Sequence, residues 1–299
     1  MEDKQKGRYN VVAIVGPTAS GKSALAVEIA RHLDGEVVSA DSRQIYKGLD
    51  IGTGKVTKKE MRGVPHHLLD VENPKRTMSV VQYERLATHA IKDILKRGKV
   101  PIICGGTGLY IDAVLTYASF PPVSPNKKLR NELEKLGAKE LFEKLQLLDP
   151  GRSETIDPKN PRRLIRAIEI ATALGSVPER VPATERYNTL YIGINLTKEE
   201  LAARIHTRLY ARMRRGMVAE ARHLHEQGLS WKRMESLGLE YRFLAEFLQN
   251  KIAKEEMLQK IEIASIQYSK RQMVWFKKNK NIRWGLPEET KMYIRKNLL

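Results

Sequence analysis

Residues 9–23 read Tyr9-Asn10-Val11-Val12-Ala13-Ile14-Val15-Gly16-Pro17-Thr18-Ala19-Ser20-Gly21-Lys22-Ser23, and this stretch decides the fold. Residues 9–15 form an apolar, β-branched run that stops at Gly16-Pro17, as a buried parallel strand does. From residue 22 to residue 33, Leu25, Ile29 and Leu33 recur every four positions, which predicts a helix. Between strand and helix, residues 16–23 fit the pattern GxxxxGK[ST]. Its glycines let backbone N–H groups converge on phosphate oxygens with no Cβ in the way. The following helix turns its N-terminus toward an anion, Lys22 adds a charge, and Ser23 offers a hydroxyl to Mg²⁺. A glycine-rich turn without a ligand would not need this strand–loop–helix setting. The loop does not name its phosphate: a nucleoside triphosphate is the usual occupant, and a bare diphosphate fits the same cradle.

Working outward, residues 36–40 (EVVSA), 67–71 (HLLDV) and 100–104 (VPIIC) read as further strands, the last closed by Gly105-Gly106. Residues 80–97 carry a helical pattern that stops at Gly98. Alternating strands and helices predict an α/β fold: a P-loop NTPase-like parallel sheet flanked by helices. Asp41 stands just past the second strand, at the edge where open parallel sheets hold ligands. It is placed to face the reacting end of the loop's ligand, yet an Asp there also serves as an Asx turn or cap, and the pattern does not choose.

After Tyr117 the texture changes. Phe120-Pro121-Pro122 breaks the alternation, and residues 126–136, 139–147 and 162–174 are charged and helical, with no strand among them. Residues 175–188 read as a return linker, so an all-helical insertion domain is expected at 119–186, within a core of 1–118 and 187–299. Residues 190–196 (LYIGINL) restore a strand, and residues 199–227 and 254–278 read as long, basic, amphipathic helices.

The chain has 53 Lys and Arg against 35 Asp and Glu in 299 residues, a net charge of +18. Such an excess points to a polyanionic partner. No apolar stretch approaches the ~18 residues of a membrane span, and the opening MEDKQKGRYN reads as a disordered lead-in, not a secretory signal. One cysteine, Cys104, excludes an internal disulfide or a multi-cysteine zinc site and suits a reducing cytoplasm. Cys104 is expected to be a small core residue. His66 and His67, adjacent on a strand, are expected to be one packed and one exposed. Trp275 and Phe276 suit base stacking or helix packing, and the basic cluster at 212–215 reads as a solvated helix face near phosphates.

The motifs GPTASGKS, SADSRQIY, IGTGK, GVPHHLLD, GGTGLY, NPRRLIRAIE and SKRQMVWFKK follow one another in this order. The series resembles the tRNA dimethylallyltransferases, or tRNA isopentenyltransferases, in their bacterial form, over residues 9 to about 278. The resemblance implies transfer of a dimethylallyl group from dimethylallyl diphosphate to the N6 amine of the adenosine 3′ of the tRNA anticodon, with release of diphosphate and use of Mg²⁺. It implies diphosphate binding by Gly16, Pro17, Thr18, Ala19, Ser20, Gly21, Lys22, Ser23 and Arg208, with the metal on Ser23. Asp41 would take the proton from the amine, and Thr107 would sit beside the adenosine. Contacts to the anticodon stem-loop would come from Asp41, Ser42, Arg43, Gln44 and Thr107, from Arg162, Arg163, Leu164, Ile165 and Arg166, and from Lys270 and Arg271; Gln44 suits a purine edge. A monomer with no DNA or membrane partner is expected. There are two departures from the family pattern. Gly54 and Val56 stand where the family often has Ala and Pro, which is not expected to matter. Residues 236–242 (SLGLEYR) are looser than usual and leave that segment's tRNA contacts open. Two rivals remain: a P-loop small-molecule kinase with ATP in the loop, and a non-catalytic, nucleotide-switched RNA-binding protein.

Overall fold

The computed structural model describes residues 9–117, 120–179 and 184–298. Most of the expected N-terminal lead-in lies outside these residues, as do residues 118–119 and 180–183 of the expected insertion and its linker. The elements, in chain order, are β1 (Val11–Val15), α1 (Lys22–His32), β2 (Gly35–Ser39), α2 (Lys58–Met61), β3 (His66–His67), α3 (Val80–Lys96), β4 (Val100–Cys104), α4 (Gly108–Leu115), α5 (Lys127–Leu133), α6 (Ala138–Leu148), α7 (Pro150–Thr155), α8 (Pro161–Leu174), β5 (Thr189–Ile194), α9 (Lys198–Arg214), α10 (Met217–Glu226), α11 (Trp231–Ser236), α12 (Leu239–Leu248), α13 (Lys254–Phe276), β6 (Arg283–Gly285) and α14 (Pro287–Leu298).

The strands form one six-stranded sheet in the order β3-β2-β4-β1-β5-β6, and every pairing is parallel. The four inner strands, β2, β4, β1 and β5, are buried on both faces, which is why they read as largely apolar runs. Val11, Ala13, Val15, Val38 and Ile103 pack into one core cluster with side chains of α3, α4 and α9 to α13, while Val12, Ile14, Val37, Ile102 and Ile192 pack into another with α1 and Ile294 of α14. The register sets Ile14 and Ser39 beside Cys104. The loops leaving β1, β2 and β4 therefore start together at one carboxyl edge, which positions the site.

The chain divides into two compact units, Met1–Tyr117 with Glu185–Leu299, and Ala118–Thr184. The second unit carries α5 to α8 around its own core of Leu133, Leu141, Leu145, Leu164 and Ile168.

Three expectations need correction. The strand expected at 67–71 is only His66–His67, because Leu68 (φ 63°) and Asp70 (φ 57°) turn into the left-handed region. The single helix expected at 199–227 breaks at Gly216 (φ 94°) into α9 and α10. His66 and His67 are both half-buried: His67 Nε2 is 2.7 Å from Glu36 Oε2, and His66 Nδ1 is 2.9 Å from the Val64 carbonyl. Strand β6, three residues long with no apolar run, and helix α14 after it carry no signal in the local sequence pattern.

Candidate active site

The phosphate loop bends through left-handed backbone at Ala19 (φ 61°) and Gly21 (φ 93°), so its amides curl toward one point. Gly16 has no room for a side chain, since a Cβ would fall 2.9 Å from the Ile194 carbonyl oxygen. Two loop amides are used inside the protein. Thr18 N–H donates to Gln272 Oε1 at 2.8 Å, and Ser20 N–H to the Pro17 carbonyl at 3.4 Å. The N–H groups of Ala19, Gly21, Lys22 and Ser23 remain for a ligand. Ser20 is fully buried, and its hydroxyl has no hydrogen-bond partner among the described residues. Lys22 folds back to donate to the Pro17 carbonyl at 2.5 Å. Desolvation draws its ammonium down to about 8; Arg208 pushes the same way, and Cys104 and Asp41 oppose.

Asp41 serves the local turn: its Oδ1 accepts from Arg43 N–H at 2.8 Å and Gln44 N–H at 3.3 Å. Both bonds use one oxygen, so the Asx turn and a chemical role for Oδ2 are compatible. Thr107 caps α4. Its Oγ1 accepts from Ser42 N–H at 3.0 Å and lies 3.3 Å from Ser42 Oγ, while Thr107 N–H donates to the Ala40 carbonyl at 3.1 Å. The SADSRQIY and GGTGLY segments are thus tied together beside the phosphate loop. The Thr107 hydroxyl also meets the phenol of Tyr268, which burial pushes up to about 12. Cys104 is buried at the end of β4, and desolvation raises its thiol to about 11, as suits a core residue. Ser23, Ser39, Gln44, His66 and Cys104 help line a cavity of about 20 Å³, room for one water.

Arg208, on α9, donates from Nη2 to the Gly54 carbonyl at 2.9 Å. Desolvation lowers its ionisation, with Arg212 acting in the same sense. An Ala at 54 would place Cβ 2.1 Å from that Nη2. The guanidinium thus occupies the space that a side chain at 54 would take. Gln44 Nε2 approaches the same carbonyl at 3.5 Å. Arg204, one turn earlier on α9, reaches within 3.8 Å of where a Gly21 Cβ would lie; its four-residue spacing from Arg208 was the signal for it. Arg212, expected on a solvated face, is only 7% exposed and donates to the Gly52 carbonyl at 2.6 Å and Glu240 at 2.8 Å. Glu220 accepts from the N–H groups of Asp50, Ile51 and Gly52 and from Tyr241 Oη. The divergent 236–242 segment, through Glu240 and Tyr241, thus anchors the loop that carries Gly54.

In the helical unit Arg162 and Arg163 are exposed. Leu164 and Ile165 are core residues of that unit, which removes their side chains as RNA contacts. Arg166 pairs with Glu169 at 2.5 Å and donates to the Val123 carbonyl at 2.8 Å. On α13, Lys270 and Arg271 are exposed, whereas Phe276 is buried and Trp275 donates to Asp112 at 2.9 Å. Both aromatic residues are therefore committed to packing. Gln272, on the inward face of the same helix, was missed.

A glycine-rich loop at the end of a central parallel strand, with a carboxylate and arginines around it, defines a P-loop-type α/β protein. Residues 44–279 match the model of the IPP transferase family. Similar chains include the tRNA dimethylallyltransferases of Anoxybacillus flavithermus (39% identity; 92% of this chain, 89% of that one) and Salinispora tropica (42%; 92% and 87%). Similar solved structures include the tRNA isopentenylpyrophosphate transferase of Bacillus halodurans, with 35% identity, TM-score 0.73 and 97% of both chains covered. A eukaryotic dimethylallyltransferase acting on tRNA is similar at 25% identity and TM-score 0.78, over 95% of this chain and 75% of that one. The chain belongs to the IPP transferase family and is an enzyme.

Proposed function

We propose that this enzyme transfers the dimethylallyl group of dimethylallyl diphosphate to the N6 amine of the adenosine 3′ of the anticodon in tRNA. The names of its relatives support the substrate pair. The observation that carries the reading is the meeting of the 16–23 loop, Asp41 and Thr107 at one sheet edge, with Ser42 bonded to Thr107.

The amine of adenine is a poor nucleophile because its lone pair is delocalised into the ring. As that pair forms the bond to the allylic carbon, a proton must leave, and a carboxylate, ionised at neutral pH, can take it. Asp41 Oδ2 would receive that proton while Oδ1 keeps the turn in place. The carbon–oxygen bond breaks with its electron pair going to the diphosphate. The free amides of residues 19 and 21–23 and the cations of Lys22 and Arg208 would stabilise that charge where it develops. Thr107 would orient the base beside Asp41.

Mg²⁺ fits this loop. Ser23 is exposed at the start of α1, and among the described residues no cluster of three His, Cys, Asp or Glu side chains is arranged to hold a metal. A single hydroxyl suits an ion that takes its other ligands from phosphate and water. When bound, Mg²⁺ would neutralise charge on the diphosphate.

The test is to incubate the protein with unmodified tRNA, Mg²⁺ and labelled dimethylallyl diphosphate, without ATP, then digest to nucleosides. Label on one adenosine is expected; no labelled adenosine, or phosphate transfer from ATP instead, would refute the proposal.

A further inference from the structure

We propose that Gln272 is a positioning residue that locks the diphosphate loop to the acceptor-side loop, so that leaving group and amine are held in register. This rests on the function proposed above. Gln272 is only 5% exposed, although Lys270 and Arg271 beside it are exposed. Its amide is used at both ends. Oε1 accepts from Thr18 N–H at 2.8 Å in the phosphate loop, and Nε2 donates to the Gly106 carbonyl at 2.9 Å in GGTGLY. One side chain thus bridges the loops that leave β1 and β4.

The neighbouring glycines are shaped to this helix. A Cβ at Gly106 would fall 2.1 Å from Gln272 Nε2, and one at Gly108 would fall 2.2 Å from Trp275 Cδ1. Neither glycine has a left-handed φ, so space and not backbone conformation keeps them side-chain-free. Trp275 stops at α4, on Asp112, whereas Gln272 continues to the phosphate loop. Glutamine suits the task because it carries an acceptor and a donor at fixed separation. Thr107, next to Gly106, and Ala19, next to Thr18, are the residues whose spacing this bridge sets. Misplacing reacting groups by about 1 Å costs about 10²-fold in rate, so a side chain that touches neither substrate can govern turnover.

The test compares Gln272→Glu, which keeps the acceptor for Thr18 but loses the donor to Gly106, and Gln272→Met, which keeps shape and neither bond. Single-turnover transfer at saturating donor and tRNA should fall at least about tenfold in both. Dissociation constants for donor and tRNA should stay within about threefold, and Tm should hold. Gly106→Ala, which displaces Nε2, should lose rate alike, and adding it to Gln272→Ala should cost nothing further. Transfer by Gln272→Met within twofold of wild type would overturn the bridge alone, as would a rate loss that merely follows Tm downward, or an independent Gly106→Ala effect in the Gln272→Ala background. Failure of the wild-type protein to modify tRNA would instead overturn the functional reading, and the bridge with it.

Discussion

Raising the pH from 7 to 9 should weaken the free enzyme's grip on a diphosphate about tenfold, through Lys22. Its ammonium is packed among the loop, Arg208 and the end of β4, and desolvation brings its ionisation down to about 8. The charged form is the one that attracts the anion. At pH 7 about nine-tenths of Lys22 is charged, and at pH 9 about one-tenth, whereas a lysine near 10.4 would stay almost fully charged throughout. The sign follows: the favourable charge is present below pH 8 and lost as pH rises through it. Calorimetric titration of inorganic diphosphate into the protein at pH 7, 8 and 9 reads this directly. Lys22→Arg serves as control, because a guanidinium stays charged and should flatten the profile. Wild-type affinity unchanged up to pH 9 would refute the argument, showing that Lys22 is solvated or plays no part in holding the anion.

Other outcomes follow from the same geometry. Asp41→Asn should keep the Oδ1 turn and tRNA binding within a few-fold while losing ~10² or more in transfer rate; near-normal turnover would remove Asp41 as base. Arg208→Ala should cost about 10- to 100-fold in kcat/KM for the donor, with tRNA affinity unchanged, read from steady-state kinetics. Glu169→Ala should destabilise the helical unit by about 2–3 kcal/mol in chemical denaturation, because Glu169 is buried against Arg130 and Arg166. Affinity for tRNA should fall steeply with added salt, as expected for a +18 chain that neutralises RNA phosphates; a flat response in filter binding would contradict it.

Local order was enough for the parts of the fold that are written locally. The apolar run ending in Gly16, the four-residue spacing after Lys22 and the GxxxxGK[ST] pattern place β1, the loop and α1, because strand burial and phosphate geometry both demand those residue types in sequence. The same holds for Asp41, where the residue type and its position after a strand marked it out, though not whether it caps or reacts. Gly216, by contrast, looks like part of one helix in the sequence, since nothing short-range distinguishes a tolerated helical glycine from one that turns left-handed.

What the tertiary structure alone decided is which polar groups are already taken. Arg212 reads as a surface cation, and only folding shows that Glu240 and the Gly52 carbonyl claim it. Arg166 belongs to Glu169 and the Val123 carbonyl, and Thr18 N–H to Gln272, a residue 254 positions away. A hydrogen bond across that distance leaves no periodicity and no spacing to read. Chemical identity and local rhythm lie in the chain by itself, and they determined the phosphate loop and the candidate base. Partnership depends on which strands end side by side, so the arrangement around that loop was set by the sheet order β3-β2-β4-β1-β5-β6, which no local stretch encodes.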